Sequence, residues 1–494
     1  MKESVIPKNI FKDFSKDTVY YGIGYAIKSF ITILLLPLYT RVLTPSDYGI
    51  LDTLATGVLI LSLLFGMRVT DGGSRYYYET EDQKEKGTIL FTVFVINFFT
   101  IVPSLILAFF SNEISIFLFK TNHYNWVVFA SCLSIPLTLL NDEQSWIYRY
   151  KRLPWRFNIY ILIRALVNIG MGILLVLYLK KGVLGAQLAT IISLIVTIIF
   201  SLFSFTLKEY TFRFSIIWAK KIIKFSFPLM LSGLMGWVYS SADRYLLLGY
   251  KSISDIGLYS IGNTFARPIS ILNMAIGMSF YPFFMSLYEK EKDGNKPETK
   301  KTSNQIWYIY LVISLSICAV LSIWGKELIG IVATPVYTSA AIVIPLLIFS
   351  QIFRISIDIT SLGIFLREKT IHYTWLVGLT SGVSLGLNFL LIPILSYQGA
   401  AISNMLSNFL YLVIAYNLSQ KFFFVKRDIK LISFYIFIIF IVSNVIPILE
   451  ISYNYDFGYI IKTLIMIGCL TLPFALGIVS KKNVKSLLFN KSNE

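Results

Sequence analysis

The sequence predicts an all-α polytopic membrane protein, made of two parallel six-helix repeats followed by two additional helices, and three observations carry that prediction. The 494 residues are 56% hydrophobic and only 14% charged, with a mean hydropathy of +0.69, far too apolar for a soluble chain of this length. Apolar runs of about 20 residues, enough to cross a hydrocarbon core of about 30 Å, recur from one end to the other. The chain also repeats itself. Ser46-Asp47-Tyr48-Gly49-Ile50 returns as Ser254-Asp255-Ile256-Gly257-Leu258, 208 residues on, and Gly185-Ala186-Gln187-Leu188-Ala189 returns as Gly399-Ala400-Ala401-Ile402-Ser403, 214 residues on. Two junctions that keep nearly one offset identify a duplicated unit of roughly 210 residues, and each junction marks a short turn that opens an apolar helix.

Fourteen spans are expected, at 19–40, 49–67, 87–110, 124–147, 158–179, 184–206, 225–249, 256–286, 305–325, 338–366, 373–394, 399–420, 431–449 and 457–479. The first follows Lys2, Lys8, Lys12 and Lys16 and precedes no small-residue cleavage site, so it reads as a retained span and not as a signal peptide. Six spans fall in each repeat. The expected organisation is a first lobe over 1–207, a linker over 208–224, a second lobe over 225–420, and two extra helices with a tail over 421–494. An even number of spans brings both copies into the membrane in the same direction, so they are parallel repeats about an axis along the membrane normal, with a cavity expected between them.

The net charge of +17 points to nucleic acid in a soluble chain, but its placement argues otherwise. Arg149, Lys151, Arg152 and Arg156, and then Lys208, Arg213, Lys220, Lys221 and Lys224, cluster in loops on the side of the amino terminus. That is the positive-inside bias, which places both termini in the cytoplasm and the basic loops against anionic lipid head groups. Cys132, Cys318 and Cys469 lie in apolar runs and His123 and His372 stand alone, so neither a disulfide framework nor a metal site is expected. The outer loops are too short for a soluble catalytic domain, so the chain reads as a non-enzyme whose function resides in the membrane. Pro103, Pro136, Pro228, Pro268, Pro282, Pro345 and Pro393 are expected to bend their helices, and Pro268 adjoins an arginine.

Ionisable groups inside spans cost at least about 2.5 kcal/mol each and normally face a bundle interior or an aqueous cavity. Here they are mostly cations. Arg267 and Arg354 are expected near the midplane, Lys28 and Arg164 closer to the inner face. Arg164 either lines a cavity or reaches the interface with its long side chain. Arg354 stands four residues before Asp358, on one helix face, so the two either pair internally or serve a cavity. Asp243 and Arg244, near the outer end of span 7, either pair with loop residues or take part in gating or coupling. A midplane cavity lined by Lys28, Arg164, Arg267 and Arg354 would suit an anionic cargo, because guanidinium groups match phosphate geometry.

Several motifs carry a resemblance. Pro37-Leu38-Tyr39-Thr40-Arg41-Val42-Leu43-Thr44-Pro45-Ser46-Asp47-Tyr48-Gly49, then Gly66 with Arg75-Tyr76-Tyr77-Tyr78-Glu79, Asp243-Arg244-Tyr245-Leu246-Leu247-Leu248 with Gly257-Leu258-Tyr259-Ser260, and Asn388 leading into Gly399-Ala400-Ala401 follow in order. This series resembles the polysaccharide and O-antigen flippases of the multidrug and oligosaccharidyl-lipid exporter superfamily, over the twelve-span core. The resemblance implies a V-shaped pair of six-helix lobes that alternates between inward-open and outward-open states. It implies a cargo of undecaprenyl-diphosphate-linked oligosaccharide, moved from the cytoplasmic to the outer leaflet of the bacterial inner membrane for surface polysaccharide biosynthesis. A polysaccharide polymerase and glycosyltransferases are the implied partners. Fourteen spans are more similar to the subset that includes lipid II flippases. No cofactor is expected beyond a coupling ion, sodium or proton, for which Asp243 and Asp358 are the acidic candidates. Two alternatives stand beside this reading. A cation-coupled drug antiporter of the same fold would want carboxylates at the centre of the first lobe, where none is expected. A glycan polymerase or ligase would want a sizeable outer loop.

Overall fold

The computed structural model describes residues 36–478 apart from 38, 152, 292, 293, 295 and 367–369. Among the described residues the regular structure is helical, with no strand, and ten runs are long and apolar enough to cross a membrane. Large apolar side chains such as Phe109, Phe203 and Ile394 stand exposed on the helix surfaces, as lipid-facing residues do. By packing, the chain divides into two compact units, Met1–Ser260 and Ile261–Glu494.

The first unit contains α1 (Pro45–Gly66), α2 (Val69–Tyr77), α3 (Gln83–Phe99), α4 (Ile101–Phe109), α5 (Ser111–Phe119), α6 (Asn125–Tyr150), α7 (Pro154–Gly172), α8 (Gly182–Ser204), α9 (Ile216–Tyr250) and the first two turns of α10 (Ile253–Lys290). The expected span at 87–110 stands as one apolar run, Gln83–Phe109, whose helix is interrupted at Thr100. Pro103 lacks the N–H that would bond the Phe99 carbonyl, and nearby Thr100 Oγ1 donates to the Asn97 carbonyl at 2.5 Å. Helix α6 is the centre of this unit, in contact with α1, α3, α4, α5, α7 and α8. Its buried face carries small and polar residues, among them Ser131, Ser134, Asn141 and Gln144, which let neighbouring backbones approach and bond across.

The duplicated turns fold alike. Asp47 N donates to Thr44 Oγ1 at 3.3 Å while the Asp47 carboxylate accepts from Thr44 N at 2.8 Å and from Thr44 Oγ1 at 2.9 Å. At the same offset, Asp255 N donates to Ser252 Oγ at 3.2 Å and the Asp255 carboxylate accepts from Ser252 N at 3.2 Å and Ser252 Oγ at 2.7 Å. Each is a capping box that satisfies N–H groups a helix start leaves open. Gly49 and Gly257 lie where the two helix starts cross. A Cβ on Gly49 would collide with the Ile253 carbonyl oxygen, and one on Gly257 with the Pro45 carbonyl oxygen. Pro45 and Ile253 occupy equivalent places in the two copies, so the contact is reciprocal, as in an isologous interface. The second echo agrees. Three residues before Gly185 stands Gly182 at φ 54°, and three before Gly399 stands Ser396 at φ 53°.

The second unit holds the remainder of α10, α11 (Pro297–Ile323), α12 (Gly325–Val332), a 3-10 segment (Pro335–Val343), α13 (Ile344–Thr360), α14 (Leu362–Leu366), α15 (Thr370–Phe422), α16 (Ile429–Ser452) and α17 (Gly458–Ala475). At 53 residues, or about 80 Å, α15 exceeds any bilayer, and it turns at Ser396 into two helices. Helix α13 is the core, packed by α11, α15 and α16. A buried triad ties down the last two helices. Lys462 Nζ of α17 lies 2.5 Å from Glu450 Oε1 of α16 and 2.5 Å from Glu327 Oε1 of α12, with Lys462 and Glu450 almost fully buried. Beside it Tyr459 stacks on Trp324 at 6.0 Å between ring centroids.

Candidate transport site

In the first unit, Arg164 stands ten residues, about 15 Å, along the Pro154–Tyr178 run, which begins four residues earlier than expected. It is half-buried. Its Nη1 donates to Asn141 Oδ1 at 2.8 Å, and Asn141 is held in turn by Thr197 Oγ1 at 3.1 Å through its Nδ2 and by Tyr160 Oη, which donates to its carbonyl at 3.0 Å. Arg164 makes no ion pair among the described residues. A neutral amide orients the guanidinium and leaves its charge uncompensated.

Arg244 is the contrary case. Its Nε lies 3.1 Å from Asp52 Oδ2 and its Nη1 2.8 Å from Asp243 Oδ1. Nη1 also donates to the Ser240 carbonyl at 2.8 Å, and Tyr259 Oη donates to Asp243 Oδ2 at 2.6 Å. The expectation of loop partners for this pair is corrected: the partner is Asp52, inside helix α1. Trp237 Nε1 and Tyr245 Oη add bonds to the carbonyls of Thr56 (2.9 Å) and Thr53 (3.1 Å), so α9 is fastened to α1 along several turns. The small residues of α1 permit that approach.

The first unit also holds a carboxylate that the sequence reading passes over. Glu143 of α6 is buried, accepting from Asn97 Nδ2 at 3.2 Å and Tyr210 Oη at 3.1 Å, with no ion pair among the described residues. Gln144 beside it bonds Tyr210, Ser201 and Thr206. Asp52, Glu143 and Lys462 all fall inside expected spans. The criterion that singles out Arg267, a charge within an apolar run, applies equally to them.

In the second unit, Arg267 stands half-buried on α10, and Arg354 and Asp358 stand on α13. Every residue of α13 is buried except Gln351, Arg354 and Asp358. Spacings of three and four put these on one face, so a single polar stripe opens on an otherwise enclosed helix. Asn273 of α10 donates from Nδ2 to the Gln351 carbonyl at 3.1 Å and accepts from Tyr310 Oη at 2.9 Å, which joins α10 to α11 and α13 beside that stripe. Arg267 and Arg354 are therefore on helices bonded to one another, while Arg164 belongs to the other unit. Lys28 lies outside the described residues.

The sequence model of the Polysaccharide biosynthesis protein family matches residues 14–288, more than half of the chain. The chain belongs to that family. Among individual proteins, Lsg locus protein 1 of Haemophilus influenzae is 24% identical over 286 residues, covering 56% of this chain and 67% of that protein. Two solved structures share the fold of this polysaccharide biosynthesis protein. One is described as the lipid II flippase MurJ in an inward closed conformation, with a TM-score of 0.68 at 14% identity over 94% of this chain and 98% of that one. The other is described as the inward-facing conformation of a multidrug resistance MATE family transporter of the MOP superfamily. Its TM-score is 0.63 at 14% identity, over 80% of this chain and 94% of that one. The molecule is thus an integral membrane protein that shares the fold of those two transporters.

Proposed function

We propose that this family member is a flippase that carries a polyprenyl-diphosphate-linked oligosaccharide from the cytoplasmic to the outer leaflet of the bacterial inner membrane by alternating access. The observation that carries the reading is the polar stripe of Gln351, Arg354 and Asp358 on a helix otherwise buried. A charge retained at the only opening of a core helix needs a functional reason, since charges in spans are costly. Arg354 and Arg267, with Arg164 and Lys28, would take the diphosphate, each guanidinium offering paired N–H donors to phosphate oxygens. The Arg244, Asp52 and Asp243 cluster would act as a gate that fastens the outer helix ends, and Asp358 would be the half-exposed carboxylate at which sodium or a proton couples. The test is complementation of a flippase-deficient strain with R164Q and with R267A/R354A, at normal protein level. Glycan export should fall at least tenfold in each. Full export by both variants would overturn the assignment.

Glu143 favours a second reading, a cation-coupled drug antiporter, because it supplies the carboxylate in the first unit that the sequence reading did not expect. Drug resistance conferred by overexpression and abolished by E143Q, with no glycan defect on deletion, would establish it.

A further inference from the structure

Within the second unit an apolar groove of about 560 Å³ runs between α11, α13, α15 and α16. That size suits a ligand, falling within the roughly 300–1,000 Å³ of small-molecule sites. Phe353, Met405, Phe409, Phe437 and Phe440 form its apolar length. Along α16 the lining extends from Ile429 to Phe440, about 16 Å at 1.5 Å per residue. A hydrocarbon core is about 30 Å thick, so the groove has the depth of one leaflet.

One end of the groove carries a charge. Arg427, just before α16, is only 9% exposed, with its guanidinium carbon 5.1 Å from the Trp307 ring centroid and 5.6 Å from that of Tyr416. Both rings line the groove. Arg427 Nη2 donates to Ser303 Oγ at 3.3 Å, while Nε is buried without an acceptor among the described residues. Arg427 makes no ion pair among the described residues, and burial lowers its pKa to about 10, which still leaves it cationic at neutral pH. A buried cation without a counter-charge is costly unless an anion joins it. Exposed Lys421, Lys426 and Lys430 flank the same end and favour anionic head groups there.

We propose that this groove is a binding site for an anionic glycerophospholipid, its phosphodiester on Arg427 and one acyl chain laid along α16, separate from the transport arginines. A polyprenyl diphosphate is the poorer match. It brings two phosphates to one buried guanidinium and a chain far longer than one leaflet.

The test is native mass spectrometry of the purified full chain, with phosphatidylglycerol titrated against phosphatidylcholine. Wild type should retain one phosphatidylglycerol in preference to phosphatidylcholine. R427Q should weaken phosphatidylglycerol about tenfold, to the level of phosphatidylcholine, as expected for loss of a charge-assisted contact, and R427K should keep most of the preference. S433W, which fills the groove and leaves Arg427 in place, should abolish retention. Equal retention of the two lipids by wild type would overturn the proposal, as would undiminished phosphatidylglycerol on R427Q or on S433W. So would displacement of phosphatidylglycerol from wild type by an equimolar polyprenyl phosphate, which would give the groove to the carrier.

Discussion

Arg164 and Arg244 stand on helices of the same unit, and the contrast lies in what holds each of them. Arg244 spends its guanidinium on Asp52, Asp243 and the Ser240 carbonyl. Arg164 bonds, among the described residues, a single amide oxygen, that of Asn141. A guanidinium offers five donors in a fixed fork. Where two carboxylates fill that fork the arginine acts as a fastening between helices, and where a neutral amide merely aims it, the remaining donors and the whole charge are available to an anion.

That contrast can be broken by experiment. R244Q leaves Asp52 and Asp243 facing each other without a cation, and removing one partner of a buried ion pair costs about 3–5 kcal/mol. The melting temperature of the purified protein should fall sharply, and export with it. An unchanged melting temperature would show that the cluster is no fastening. G257A and G49A press a methyl group into a backbone carbonyl at the reciprocal crossing, an overpacking of about 1–3 kcal/mol each. Similar losses from the two would sharpen the account of a duplicated turn, whereas a loss confined to one would break it. T44A and S252A remove equivalent helix caps and should cost about 1 kcal/mol apiece, read from the same thermal melts.

The fold class and the duplicated turns are legible in the sequence because each rests on local demands. Thr44 and Asp47, like Ser252 and Asp255, cap a helix start within a four-residue signature, and Gly49 and Gly257 permit a contact that any side chain would block. The partner of Arg244 is not legible, since Asp52 lies 192 residues away and no local pattern links the two. Lys462 is hidden for another reason: one charge in a run of some twenty apolar residues barely moves its average hydropathy, whereas Glu143 sits in the polar stretch Asn141-Asp142-Glu143-Gln144, which reads as the end of a span. For α13 the i to i+4 spacing of Arg354 and Asp358 can be read directly. The i to i+3 spacing places Gln351 on the same face, but that every other side is enclosed cannot be read, because a helix apolar all round shows no periodicity to say which side meets the core. The division of span 3 at Thr100 follows from Pro103, a kink the sequence does announce.

The most direct measurement is the affinity of the purified chain for a polyprenyl diphosphate, with wild type compared with R164Q, R354Q and R244Q. The account predicts that R164Q and R354Q each bind about tenfold more weakly or worse, R164Q with a melting temperature near that of wild type, while R244Q loses stability first. Wild-type affinity in both R164Q and R354Q would contradict it.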